Sequence, residues 1–247
     1  MRVSKVFALI AGVMSISGVH AADLNQGELT QKFQSIVPFS VKAVEDAPMN
    51  GFKQFVTSEG IFYLSNDGEY LISGNVHKAT KTLPNLTKNR LSEEYRAAIN
   101  ELKDSFLTFK ADNEKHEIVV FYDSSCPYCR KLHQEIPMLL AQGVTVHYAG
   151  WPRMGVRNPQ DQMTFTSGYR DLESIWCAEN PHMAMDKSAD GIHIPSASCD
   201  TKIEQHFKLG EQMGVRGTPA IYDIQGREVA RGWAPATQLM KNIEALN

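Results

Sequence analysis

The chain has 247 residues, of which 43% are hydrophobic and 21% are charged, and its formal net charge is −3. This length and composition suit one large globular domain or two small ones. The slight acidic surplus argues against a nucleic-acid-binding protein, which usually carries an excess of Lys and Arg, and past the N-terminus no run approaches the roughly 20 apolar residues that span a bilayer.

The first 21 residues have the pattern of a secretory signal peptide. Arg2 and Lys5 form a positive start, residues 6–14 form a short apolar run, and small residues follow at the cleavage positions. We expect cleavage after Ala21, with cleavage after Ala22 as the alternative. A membrane anchor is the competing interpretation, but the apolar run is too short for one. The sequence therefore predicts an exported protein.

Residues 22–84 predict a small β-rich domain. Residues 24–36 have helical periodicity, with Leu29, Phe33 and Ile36 on one face. Three short apolar segments separated by turn residues then predict an antiparallel meander, at residues 52–56, 61–64 and 70–72. A meander of this size buries little core, so we expect it to pair with a further element.

A linker helix is predicted within residues 85–110. Apolar residues recur at helical spacing from residue 91 to residue 109, Ser92 suits the N-cap, and two acidic residues follow it in the first turn. A first helix of the following domain is the alternative interpretation.

Residues 111–247 predict an α/β-type domain. Strands are expected at residues 117–122, 144–148, 220–223 and 228–231, and a closing helix at residues 235–245. A helix follows the first strand, and a helical and loop region separates the second strand from the final pair. This order predicts a mixed sheet covered by helices on both faces, within a chain of α+β organisation.

The four cysteines all lie in the C-terminal half of the chain. Cys126 and Cys129 form a C-x-x-C pair between a predicted strand and a predicted helix. A zinc site would need two further ligands, and Cys177 and Cys199 are neither a C-x-x-C pair nor close in sequence. In an oxidising compartment disulfide chemistry is the default interpretation. We expect no metal and no cofactor.

The position of the C-x-x-C pair favours redox activity over a purely structural disulfide. A cysteine at a helix N-terminus is favoured as the thiolate, which is the attacking species in disulfide exchange. Cys129 lies one turn later on the same side, within reach of a disulfide, and is expected to be the more buried partner. Pro127 suits the first helical turn, whereas Pro137 should kink the helix.

Three charged or titratable residues follow the pair. Arg130 and Lys131 add positive charge, and their simplest interpretation is a solvated surface. For His133 an interaction with the thiolate is possible, but we predict a surface histidine without a role.

Five segments together resemble a known family: residues 126–133 (CPYCRKLH), 151–153 (WPR), 175–178 (IWCA), 197–200 (ASCD) and 217–220 (GTPA). They resemble the thioredoxin superfamily and, within it, the DsbC/DsbG family of periplasmic disulfide isomerases. The resemblance extends over nearly the whole chain after residue 21. It implies a thioredoxin-like catalytic fold with a helical insertion, preceded by a cystatin-like dimerisation domain.

The same resemblance implies roles for particular residues. It implies a cis peptide bond before Pro219, with the Thr218 backbone presented to an extended substrate and with Pro127 and Tyr128 in the active-site surface. It also implies a structural disulfide between Cys177 and Cys199. That second pair favours a DsbC-like member, whereas the Pro-Tyr dipeptide between the active cysteines is typical of DsbG-like members. We give the cysteine pair more weight.

By resemblance, the function is that of an isomerase and reductase of misfolded disulfide-containing exported proteins in a Gram-negative periplasm, with chaperone activity. The resemblance also implies a homodimer formed by the N-terminal domain and a membrane thiol reductase of the DsbD type as electron donor. The alternatives are a DsbA-like dithiol oxidase and a DsbG-like holdase that binds unfolded chains without redox chemistry.

Overall fold

The computed structural model describes residues 23–246, so the predicted signal peptide lies outside the described residues. Two separate sheets organise this part of the chain, one with four strands and one with five. Within residues 23–246, no helix combines the length and the apolar character needed to cross a membrane.

The first helix, α1, covers Gln26–Ile36. It begins after Asn25, whose side chain accepts hydrogen bonds from the N–H groups of Gly27 and Glu28, and the Glu28 carboxylate accepts a hydrogen bond from the Asn25 N–H. Leu29 and Phe33 are buried as predicted. The predicted place of Ile36 on the core face is wrong, since this last helical residue is 50% exposed and the next residue along the chain enters the core instead.

Four antiparallel strands form the N-terminal sheet in chain order: β1 (Val41–Asp46), β2 (Phe52–Thr57), β3 (Gly60–Ser65) and β4 (Leu71–Ser73). The three predicted strands are confirmed. β1 was not predicted, and it has no fully buried residue, which explains its weak sequence signal. The sheet packs on α1 through a stacked pair of rings, Phe33 and Phe55, whose centroids are 4.3 Å apart.

Helix α2 covers Leu86–Leu102, and the prediction of a single helix over residues 91–109 is wrong at both ends. The helix begins earlier because the Asn85 side chain caps it by accepting from the Lys88 N–H, while the Ser92 hydroxyl donates to a carbonyl one turn back. It ends earlier because β5 (Leu107–Phe109) pairs with a strand of the second sheet. Strand pairing there overrides the helical periodicity.

The C-terminal sheet has the strand order β5-β7-β6-β8-β9. Its remaining strands are β6 (His116–Tyr122), β7 (Val144–Gly150), β8 (Ala220–Asp223) and β9 (Glu228–Arg231). β6 and β7 are parallel, whereas every other neighbouring pair is antiparallel. The mixed sheet is therefore confirmed.

Six further helices belong to this half of the chain: α3 (Pro127–His133), α4 (Ile136–Ala141), α5 (Ser167–Trp176), α6 (Pro181–Ala189), α7 (Ile203–Gln212) and α8 (Ala236–Ala245). Two buried clusters, one on each face of the sheet, show that helices cover both faces. The kink expected at Pro137 is a full break, because α3 ends at His133 and Pro137 occupies the first turn of α4.

The turn between β8 and β9 fixes α2 against the C-terminal sheet. Gly226 in this turn has a φ of +77°, and a Cβ built on it would lie 2.5 Å from the Ser92 carbonyl oxygen and 2.6 Å from the Tyr95 Cβ. Only glycine permits this backbone conformation together with so close an approach to the helix.

We expect Gly226→Ala to lower the free energy of unfolding by more than Gly232→Ala does. Gly232 has a similar φ of +84° but nothing within 4 Å of its built Cβ, so its substitution brings only the backbone strain of about 1–2 kcal/mol. Urea unfolding of both variants measures the difference. Equal losses would show that the contact between the turn and α2 contributes nothing.

Candidate active site

Asp123 organises the loop that leads from β6 into α3. Its Oδ1 accepts from the Ser125 N–H at 2.7 Å and from the Ser125 hydroxyl at 2.6 Å, and its carbonyl accepts from the Cys126 N–H at 3.0 Å. Its Oδ2 accepts from the Arg153 N–H at 2.7 Å. One buried carboxylate thus joins the cysteine loop to the WPR segment. The sequence analysis missed this residue, although an Asp at the end of a strand signals such a turn.

Cys126 is the N-cap of α3, and Pro127 follows at the first helical position. The Cys126 carbonyl accepts from the N–H groups of Cys129 and Arg130, both at 3.1 Å. Both cysteines are buried, and Cys129, which is fully inaccessible, is the more buried of the two, as predicted. Pro127 and Tyr128 are exposed directly above them, and they form the outer surface of the site.

The loop before β8 lies against the first cysteine. The Thr218–Pro219 peptide bond is cis, and the Cys126 Sγ lies 3.2 Å from the Thr218 carbonyl oxygen, to which it donates a hydrogen bond in its thiol form. The Thr218 hydroxyl is buried and has no hydrogen-bond partner among residues 23–246. The structure therefore brings together two segments that are 92 residues apart in sequence.

The two sulfurs have opposite electrostatic environments. A hydrogen bond from the Cys129 side chain, together with the backbone N–H groups of Cys129 and Tyr128, lowers the pKa of Cys126 to about 5, although burial opposes this shift. Burial raises the pKa of Cys129 well above its ordinary value, and the hydrogen bond to Cys126 adds to that rise. At neutral pH the pair holds one thiolate, on Cys126, and one thiol, on Cys129.

The second cysteine pair is separate from this site. Cys177, at the end of α5, is joined by a disulfide to Cys199, in the segment that leads into α7. Within residues 23–246 the free cysteines are Cys126 and Cys129, and no cluster of three or more His, Cys, Asp or Glu side chains is arranged to hold a metal ion.

The prediction of a surface position for His133 is wrong. The residue is buried, with Nδ1 2.8 Å from the Tyr148 hydroxyl and Nε2 2.8 Å from Asp186 Oδ1. These bonds tie the end of α3 to the central sheet and to α6. The sequence pattern gave no sign of this, because Asp186 lies 53 residues further along the chain.

Two family models match the chain. The disulfide bond isomerase protein N-terminal domain matches residues 20–88, and the thioredoxin-like domain matches residues 102–247. The chain is 34% identical to the thiol:disulfide interchange protein DsbC of Dickeya dadantii, over 97% of this chain and 94% of that protein. It is 32% identical to the protein of the same name from Escherichia coli, over 85% of each chain. This chain belongs to the DsbC family.

Membership of the DsbC family confirms the fold class and the enzyme class predicted from the sequence: a thioredoxin-like domain follows a DsbC-type N-terminal domain, and the protein is a thiol–disulfide oxidoreductase of the disulfide-isomerase type. The similarity to DsbC proteins agrees with the prediction of a DsbC-like member, which was based on Cys177 and Cys199, rather than with the DsbG-like Pro-Tyr dipeptide.

The pKa of Cys126 depends most on Cys129, so Cys129→Ala should raise it from about 5 toward the ordinary value of 9.0. Thiolate absorbance at 240 nm, followed against pH in the reduced protein, measures this directly. Cys126→Ala in the same assay identifies the titrating sulfur. An unchanged titration in Cys129→Ala would contradict the assignment of the hydrogen bond.

The same shift fixes the pH dependence of stability in the reduced state. Because folding lowers the pKa of Cys126 from 9.0 to about 5, the thiolate stabilises the folded protein fully above about pH 9, and this contribution disappears as the pH falls through 5. The reduced protein should therefore lose stability relative to the oxidised protein over that range.

Proposed function

We propose that Cys126 is the catalytic nucleophile of a protein disulfide isomerase that acts on non-native disulfides in exported proteins, and that Cys129 is the resolving thiol. The observation that carries the proposal is the low pKa of Cys126 at the N-terminus of α3, beside the cis-proline loop. A thiolate at neutral pH is the species that attacks a disulfide.

The first step forms a mixed disulfide. The Cys126 thiolate attacks one sulfur of the substrate disulfide, a bond forms between Cys126 and that sulfur, and the other substrate sulfur leaves as a thiolate. If a substrate thiolate then attacks the substrate sulfur of the mixed disulfide, Cys126 is released. The substrate disulfide has been reshuffled, and no electrons have been transferred overall.

The second route is reductive. Cys129 loses its proton and attacks Cys126, which releases the reduced substrate and leaves a Cys126–Cys129 disulfide. Two electrons have then moved from the enzyme to the substrate, so a further dithiol must reduce the enzyme. The high pKa of Cys129 slows this route, which favours reshuffling over net reduction.

Four residues around the sulfurs are proposed to form the substrate surface. Thr218, which is partly exposed, and the buried Pro219 belong to the loop that contacts Cys126, and an extended substrate segment could add to the backbone of this loop. Pro127 and Tyr128 are exposed beside it, and Tyr128 offers an aromatic ring to apolar substrate side chains.

Reactivation of scrambled, fully oxidised ribonuclease in a glutathione buffer tests the proposal. The wild-type protein should restore ribonuclease activity, and Cys126→Ser should abolish that effect. Cys129→Ser should retain part of it, because reshuffling through Cys126 alone needs no resolving thiol.

Two outcomes would contradict the proposal. If Cys126→Ser were as active as the wild type, the nucleophile would be elsewhere. If scrambled ribonuclease stayed inactive while reduced ribonuclease was rapidly oxidised, the protein would be a dithiol oxidase.

We also propose that the N-terminal sheet forms a homodimer. β1 and β4 are edge strands, each with a strand on one side only within the described part of the chain. Next to the β4 edge, Tyr70 is 64% exposed and Ile72 is 39% exposed. Unpaired edges with exposed apolar side chains are suited to symmetric pairing with a second copy. Two catalytic sites would then face one space, which would support chaperone activity toward unfolded chains.

Ile72→Lys should weaken this dimer by about tenfold or more, because burial of one such side chain contributes roughly 1.5–3 kcal/mol. Analytical ultracentrifugation over a range of concentrations measures the dissociation constant. Met163→Lys, at an exposed residue of the C-terminal half, is the matched control and should leave it unchanged. A wild-type protein that is monomeric at all concentrations would refute the proposal.

The proposed compartment is the periplasm of a Gram-negative bacterium. It is supported by the signal-peptide pattern of residues 1–21 and by membership of the DsbC family. Continued reductive cycling requires an external dithiol, and we propose a membrane thiol reductase of the DsbD type as its source.

A further inference from the structure

A polar groove of about 310 Å³ is lined by residues that flank the C-x-x-C pair in sequence. Ser124, two residues before Cys126, and Arg130, directly after Cys129, line one part of it, while α5 and the segment after α6 line the rest. Its volume reaches the lower end of the range of small-ligand sites. Ser124 lies on the loop that leads to Cys126, and Arg130 lies on α3, so a group bound to both side chains would contact the same two elements that carry the sulfurs.

Two buried donors in the groove have no partner. Ser124 is only 8% exposed, and its hydroxyl makes no hydrogen bond with any residue between 23 and 246. The Arg130 Nε is also buried and has no hydrogen-bond partner among residues 23–246. Buried polar atoms are almost always hydrogen-bonded, and leaving one unpaired is unfavourable by about 1–3 kcal/mol. The two unsatisfied donors line one groove, where a single bound acceptor group could satisfy both.

The charges around the groove leave Arg130 without a counter-ion. The buried Asp123 is paired with Arg153, whose Nε lies 3.4 Å from its Oδ2. Asp171 and His193 also line the groove, and burial followed by the nearby Asp123 raises the pKa of Asp171, whereas His193 lowers it. Arg130 makes no ion pair with any residue in the described range, whereas its neighbour Lys131 lies over the Trp233 ring, 3.5 Å from the centroid.

We infer that this groove binds a carboxylate of the thiol or disulfide that reacts at Cys126, through the Arg130 guanidinium and the Ser124 hydroxyl. Arginine presents a planar set of donors that matches a carboxylate, and such charge-assisted bonds are stronger than neutral ones. The inference rests on the proposed function, and it names a feature of the substrate: an acidic group close to the reacting sulfur.

The inference also has an electrostatic reason. A thiolate on Cys126 repels an approaching anion, so acidic disulfides would otherwise react slowly. A cation held in the adjacent groove offsets that repulsion for substrates whose carboxylate reaches it. The carboxylate has two possible sources, which are a small thiol such as glutathione and an acidic side chain next to a cysteine in a protein.

The test compares two small disulfides on the reduced full-length protein at pH 7. Glutathione disulfide carries carboxylates, and hydroxyethyl disulfide carries no charge. Arg130→Gln should lower the rate constant for glutathione disulfide about tenfold relative to that for hydroxyethyl disulfide. Lys131→Gln removes the same charge one residue away and should leave the ratio within about twofold. Ser124→Ala should lower the ratio in the same direction, by less.

Matched disulfide peptides that carry Glu or Gln next to the cysteine distinguish the two sources. A preference for Glu that Arg130→Gln removes would assign the groove to acidic protein segments. An effect seen with glutathione disulfide alone would assign it to the small thiol. Either result supports the carboxylate site.

The site is refuted if Arg130→Gln slows both small disulfides equally or slows neither. Failure of the proposed function gives a different result: the wild-type protein would then react with hydroxyethyl disulfide no faster than Cys126→Ser does. Thermal unfolding of each variant, together with its rate with hydroxyethyl disulfide, shows whether the fold and the thiol pair are intact.

Discussion

The register between β6 and β8 is the constraint on which the reactive site depends. Phe121 pairs with Ala220, which places the end of β6 beside the cis Thr218–Pro219 bond. From that fixed point the Asp123 turn sets Cys126 at the start of α3, 3.2 Å from the Thr218 carbonyl. A slip of one residue in this pairing would turn each side chain of the strand to the opposite face and separate the two loops. The central sheet thus determines the environment of the sulfur.

That environment divides the chemistry between two sulfurs, of which Cys129 is the more deeply buried. Both cysteines lose hydration, which alone would raise the pKa of each. Only Cys126 has enough donors to reverse this effect: the Cys129 side chain and backbone N–H groups at the start of α3. Cys129 supplies the largest of these contributions, and its own bond to Cys126 raises its own pKa. The hydrogen bond between the sulfurs therefore stabilises the thiolate of Cys126 and the protonated form of Cys129.

The sequence predicted the site where chemistry is encoded locally and failed where partners come from distant segments. The C-x-x-C spacing, the following helix and the pattern of short strands are local, and the family match and the structure agree with them. The helix predicted over residues 91–109 has a genuine apolar periodicity, but β5 is stabilised by pairing with β7, nearly 40 residues away. His133 is buried and bonded to Asp186, which lies on α6. The sequence around residue 133 therefore did not reveal its role.

The lifetime of the mixed disulfide connects these features to isomerisation. Reshuffling requires that a substrate thiol find the mixed disulfide before Cys129 does, and Cys129 is near enough to attack at once. Its high pKa keeps it protonated, so its proximity does not lead to immediate release. Cys126 has the opposite property: a thiol with a low pKa is a good leaving group, so a substrate thiolate can displace it readily. Burial, the largest cause of the raised Cys129 pKa, also applies in the mixed disulfide, so it and the low pKa of Cys126 both favour exchange within the bound substrate.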